Sequence, residues 1–136
     1  MPLRNGCPFC GFPDKEVVFY EDSLCLGIVS KAPLNKYHGL IVPKEHYTDS
    51  QRVPDEILVH LYLVSKKVAQ AIAKACNPDG ITMVHDDGLN KTVEHFTIHI
   101  IPRFRGDKIG GFYLREEDPG LQARATYATR IRECLG

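Results

Sequence analysis

The chain has no excess of charge of either sign. Its 17 basic side chains stand against 17 acidic ones, and the formal net charge is zero. That balance lacks the electrostatic footprint of a duplex-binding or membrane-surface protein, so neither nucleic acid nor a membrane is expected as a partner. No apolar run approaches the ~20 residues that cross a bilayer. Met1 to Cys7 holds no apolar core of a secretory signal, which makes a cytoplasmic protein the expectation. No internal repeat or low-complexity tract is present. The five cysteines are an odd number, and that argues against a complete disulfide framework. What is there is ordinary for a globular chain: 136 residues, 43% hydrophobic and 25% charged. That suits one core and a single domain over 1–136.

The apolar pattern sets the coarse organisation. Glu16 to Tyr20 and Leu24 to Val29 read as strands around a Glu21-Asp22-Ser23 turn. After the loop Ala32-Pro33-Leu34-Asn35-Lys36, Leu40 to Val42 read as a central strand that Pro43 ends. Pro54, Asp55 and Glu56 make a helix start, with acids near the positive end of the dipole. Ile57, Leu61, Val64, Val68, Ile72 and Ala75 then recur at spacings of three and four. They predict an amphipathic helix about 33 Å long that ends near Cys76. His60 within it reads as a partly exposed helix histidine. Ile81 to His85 is a further strand, and Asp86 to Thr92 a polar turn. A short strand is expected near Gly110 to Tyr113. A last helix is expected over 116–135, with Leu121, Ala125, Ala128, Ile131 and Leu135 near one face.

Two stretches carry chemistry. His95-Phe96-Thr97-Ile98-His99-Ile100 alternates as a strand does. Alternation puts His95, Thr97 and His99 on one face and Phe96, Ile98 and Ile100 on the core face. Two imidazoles and a hydroxyl in a row are hard to explain as packing, although a half-exposed strand is the plain alternative. Near the front, Cys7-Pro8-Phe9-Cys10 is half a zinc site, a redox dithiol or chance. The redox reading wants a strand before the motif, and none precedes it.

The run His95 to Arg103 resembles the signature of the histidine triad (HIT) nucleotide hydrolases and transferases: His, apolar, His, apolar, His, two apolar residues, then Pro-Arg. The first and third histidines are His95 and His99; Thr97 stands where the family carries its nucleophile. His38, the apolar Leu40 to Val42, Pro43 and Lys44 resemble a second hallmark, about 57 residues earlier. The resemblance spans roughly 7–107. It implies an α+β fold: a five-stranded, mostly antiparallel sheet with the long helix packed on it. It also implies a homodimer and a small-molecule nucleotide ligand. Carried over residue by residue, it places His38, Thr97 and His99 at the catalytic site. Ile28 and Leu40 fall at the base, Ser30 at the ribose, and Lys91 and Thr92 in the phosphate loop. That loop is about two residues short of the family pattern. Some microbial members hold zinc with a Cys, Cys, His, His set, which here matches Cys7, Cys10, His46 and His95. The resemblance therefore implies a structural zinc.

In the family the middle histidine attacks the α-phosphate, and neutral imidazole serves as both nucleophile and leaving group. Threonine does not replace it easily. The expectation is a purine nucleotide-binding protein of the nucleoside phosphoramidate or dinucleoside polyphosphate hydrolase type, with impaired catalysis. Two competitors stand beside it. One is a working hydrolase with His99 or Thr97 in an unfamiliar role. The other is a zinc-stabilised interaction module that has lost the ligand.

Overall fold

A short carboxylate starts the sheet. In a computed structural model, which describes residues 7, 9–11, 13–88, 94–109 and 117–136, Asp22 Oδ1 accepts the Leu24 and Cys25 N–H groups at 2.8 and 2.9 Å. That side-chain turn joins β1 (Val18–Glu21) to β2 (Cys25–Val29). The strands β3 (Gly39–Pro43), β4 (Gly80–Val84) and β5 (Ile98–Arg103) complete a five-stranded sheet in the order β1-β2-β3-β5-β4. Every pairing in it is antiparallel. The helix α1 (Asp55–Cys76) lies between β3 and β4 in the chain, and α2 (Leu121–Leu135) ends it. The α+β fold expected from the sequence is the fold observed.

Register decides what shares a face. Val18 pairs with Ile28, Ile28 with Leu40, and Leu40 with His99, which also faces Val84. Residues directly opposite one another in antiparallel strands project to the same side. These five side chains therefore form one row across the sheet. The other face carries Val29, Ile41, Ile98 and Ile100, packed against the α1 residues Leu61, Val64, Val68, Ala71 and Ile72. Burying each of the larger ones is worth about 1.5–3 kcal/mol. Ile57, expected in that stripe, is only half-buried. Phe19 crosses this face over Gly27, where an added Cβ would lie 2.5 Å from the ring; no larger residue fits there.

Several boundaries differ from the sequence expectation. A 3₁₀ turn at Lys15–Val17 occupies the start of the first expected strand, and Pro54 caps α1 rather than joining it. Asn77 ends α1 in the left-handed region, at φ 47°, a conformation that asparagine tolerates. The helix α2 begins at Leu121, not 116, and leaves Leu121 exposed while burying Ala128 and Ile131. The largest correction concerns β5, which starts at Ile98 rather than His95. Before it, Phe96 N–H donates to the Tyr47 carbonyl (2.6 Å) and the Thr97 hydroxyl to the His95 carbonyl (2.8 Å). The first is a tertiary backbone bond and the second a local side-chain bond, and both take the place of a strand ladder here. The strand expected near Gly110 to Tyr113 lies outside the described residues.

The helix α2 packs on α1 and along β1. Its Arg124 donates to the Val29 carbonyl at 2.9 Å, and Arg132 donates to that of Val18. These guanidinium groups satisfy carbonyls on the β1 side of the sheet, where no further strand pairs among the described residues. Among the described residues, no helix is long and apolar enough to cross a membrane.

Candidate functional site

His38 enters β3 from a tight turn. Tyr37 takes φ 65°, and Asn35 donates from Nδ2 to the Pro102 carbonyl on β5 at 2.9 Å. The His38 ring is fully buried. Its Nδ1 accepts the Leu34 N–H at 2.9 Å, and its Nε2 lies 3.0 Å from His99 Nδ1. A backbone N–H can only donate, so His38 carries its proton on Nε2 and gives it to His99. His99 Nδ1 is then an acceptor, and the neutral ring holds its own proton on Nε2. Moving that proton to Nδ1 would set two N–H groups against each other. In that tautomer His99 carries an N–H, not a lone pair, at Nε2.

Thr97 adds to this. Its hydroxyl proton goes to the His95 carbonyl, an acceptor that is no base. Ser30 is buried, and its Oγ accepts the Ala32 N–H at 3.2 Å. Its own N–H donates to the His38 carbonyl at 2.9 Å, which ties the 30–38 loop shut. Ile28 and Leu40 lie in the same cross-sheet row as His99 and form a buried apolar group with Leu26 and Val42. Asp87, in the polar turn after β4, accepts the Ser50 N–H at 2.9 Å and the Ser50 hydroxyl. Lys91 and Thr92 lie outside the described residues.

The second cluster gathers Cys7, Cys10, His46 and His95, whose ligand atoms all lie within 4.8 Å of one another. Cys7 Sγ is 3.3 Å from His95 Nδ1. Cys10 Sγ is 3.2 Å from His46 Nδ1 and 3.5 Å from His95 Nδ1. A tetrahedral zinc at the usual bond lengths sets sulfur–nitrogen edges of about 3.5 Å. His95 Nε2 donates to the Pro43 carbonyl at 2.8 Å, which leaves the Nδ1 lone pair turned toward the sulfurs, as a carbonyl bonded to the far nitrogen orients a ligating histidine. Burial pushes the His95 ring toward its neutral form, the form that ligates a metal. Donor types, spacing and tautomer all fit zinc.

Sequence reasoning missed two features. The Leu34 N–H that sets the His38 tautomer has no side-chain signal at all. His60, read as a plain helix histidine, lies with Nε2 2.7 Å from Asp22 Oδ2, which also accepts the Tyr20 hydroxyl at 2.9 Å. This ties α1 to the β1–β2 turn; an acid and a histidine 38 residues apart gave no hint of it.

Comparison with known proteins gives the family and the fold. The chain is 33% identical over 110 residues to an adenylylsulfatase from Arabidopsis thaliana, covering 77% of this chain and 56% of that protein. The chain thus spans little more than half of that relative. Its fold is similar to a crystal structure of a hypothetical histidine triad nucleotide-binding protein from Sulfolobus tokodaii. The TM-score is 0.83 and the identity 26%, with 95% of this chain and 91% of the other covered. A zinc-bound histidine triad family protein from Mycobacterium smegmatis matches with TM-score 0.79 and 30% identity, over 96% and 93% of the two chains. The HIT domain family model matches residues 13–106, from the 3₁₀ turn through the end of β5, and on that match this chain belongs to the HIT family.

Proposed function

We propose that this chain, over 1–136 as one HIT-like domain, binds a purine nucleoside monophosphate and forms no covalent nucleotidyl intermediate. The base lies on Ile28 and Leu40, the ribose reaches Ser30, and a phosphate oxygen takes the His99 Nε2 proton. The observation that carries this reading is the bond chain from Leu34 N–H through His38 to His99, on the same sheet face as the apolar pair. It makes His99 an anion donor while Thr97 spends its proton on a carbonyl. Losing a catalytic nucleophile removes several powers of ten in rate, each worth about 1.4 kcal/mol.

The test is single-turnover kinetics with an adenosine phosphoramidate, then intact-protein mass spectrometry. Similarity to an adenylylsulfatase makes adenylyl sulfate the second substrate to offer. AMP binding without an adduct is expected, and Thr97→His is expected to restore little activity while the short loop remains. A nucleotidyl adduct on the unaltered chain, or turnover near about one per second, favours the working-hydrolase reading. No AMP binding at all favours the interaction module.

Zinc is assigned a structural role at Cys7, Cys10, His46 and His95. When bound it supplies a four-coordinate crosslink that ties the front of the chain to the segments after β3 and before β5. A second copy of this chain is the proposed partner. Val59 and Leu63 lie one turn apart on α1 at 58% and 63% exposure, and β4 is a sheet edge with Met83 partly exposed. An exposed apolar pair on α1 and a strand that is an edge among the described residues both offer surfaces for a two-fold contact. Light scattering at micromolar concentration should give a dimer that Leu63→Glu dissociates; a monomeric parent chain would end this assignment.

A further inference from the structure

Phe9 stands between the two cysteines of the metal cluster. Its ring packs on the buried group Leu26, Ile28, Leu40 and Val42. It meets the His95 ring edge-on, with centroids 5.8 Å apart. The backbone around it is a tight turn, with the Cys10 and Gly11 N–H groups both donating to the Cys7 carbonyl at 3.2 Å. The flanking sulfurs therefore set where this ring sits. Two members of that group, Ile28 and Leu40, are those assigned to the base.

Its position along that floor follows from the register. Leu26 pairs with Val42, one strand step from the Ile28–Leu40 pair. His95 bonds the carbonyl of Pro43, the residue after Val42. The His95 contact thus places Phe9 toward the Leu26–Val42 end. His99, paired with Leu40, lies across the row from Ile28. A base resting on Ile28 and Leu40 has Phe9 at one side and reaches His99 with its phosphate.

We infer that metal binding and nucleotide binding are coupled through Phe9. By holding Cys7 and Cys10 against His46 and His95, the metal fixes the Phe9 ring as a wall beside the base. Metal loading then raises nucleotide affinity by preorganising that wall. Linkage requires the reverse as well: bound nucleotide raises metal affinity by the same factor. The inference rests on the nucleotide reading given above.

The experiment uses AMP as the probe and calorimetry on three samples: zinc-loaded protein, chelator-stripped protein and zinc-loaded Phe9→Ala. Removing one base-stacking aromatic weakens binding by about tenfold, so the second and third samples should each bind AMP about tenfold more weakly than the first. Zinc content and circular dichroism are measured on each. If stripping unfolds the chain, Phe9→Ala at full zinc occupancy decides alone. In competition with a chelator, saturating AMP should tighten zinc about tenfold in the parent chain and leave Phe9→Ala unmoved. Equal AMP affinity with and without zinc overturns the coupling, as does a zinc-bound Phe9→Ala that binds AMP like the parent. A zinc-loaded parent that binds no AMP overturns the nucleotide reading itself, and the coupling with it.

Discussion

Replacing His38 by leucine attacks the wiring of the site at its least accessible point. His38 is fully buried, and Leu34, whose N–H it accepts at 2.9 Å, is buried as well. Leucine removes that acceptor and leaves the N–H where water does not reach it. An orphaned buried donor costs about 1–3 kcal/mol, and the lost bond to His99 adds about 0.5–1.5 kcal/mol. The expected destabilisation is therefore about 1.5–4.5 kcal/mol. It should appear as a lower urea midpoint with an unchanged slope. His38→Gln should fall between the two, because one amide cannot span both partners as the imidazole does. Nitrogen NMR reads the second consequence. In the parent chain both His38 and His99 should carry their protons on Nε2, and in His38→Leu the His99 ring should populate both tautomers. A parent spectrum with His99 protonated on Nδ1, or a loss under about 0.5 kcal/mol, would refute the relay.

Three other perturbations have defined outcomes. Protein purified without chelator should hold about one zinc per chain, and Cys10→Ser less than about a tenth of that; a parent chain without zinc would remove the metal assignment. Leu61→Ala, at a fully buried position facing the sheet, should cost about 2–5 kcal/mol, and a loss under about 1 kcal/mol would contradict the packing described. Burial pushes the Asp22 carboxyl up, but bonds from Leu24 N–H, His60, Tyr20 and Cys25 N–H outweigh it and hold it well below the usual carboxylate range. A depressed folded pKa stabilises above the unfolded value and is lost on acidification below about pH 4. Asp22→Asn should accordingly lower stability at neutral pH and flatten the acid limb of the stability profile; an unchanged acid limb would count against that bond network.

Much of the fold was legible because it depends on repeating patterns. The α1 stripe from Leu61 to Ile72 and the apolar runs of β2 and β3 announce themselves through period and composition. Helix and strand ends were less legible, since a cap or a local hydrogen bond decides them. Residues 95–97 show why. Their alternation is that of a strand, but Phe96 N–H bonds to Tyr47 and the Thr97 hydroxyl folds back on the chain. Binary pattern carries no record of such competition. The metal cluster was legible in part, because Cys7-x-x-Cys10 is a local motif. Its histidines entered only through family resemblance, and their approach to the sulfurs is a fact of three dimensions.

The sequence by itself determined the secondary-structure plan, the core face of α1, the absence of a histidine at position 97 and the supply of soft ligands at the front of the chain. These are properties of residue identity and short spacing. Tertiary structure decided which nitrogen of His38, His95 and His99 holds a proton. That depended on Leu34 N–H and the Pro43 carbonyl, backbone groups that exist for every sequence and acquire a direction only once the chain has folded. It also decided that Phe9 rests on the same apolar floor as Ile28 and Leu40. That contact joins residues from the first turn, β2 and β3, and it arises from strand register, which no local stretch of this chain encodes alone.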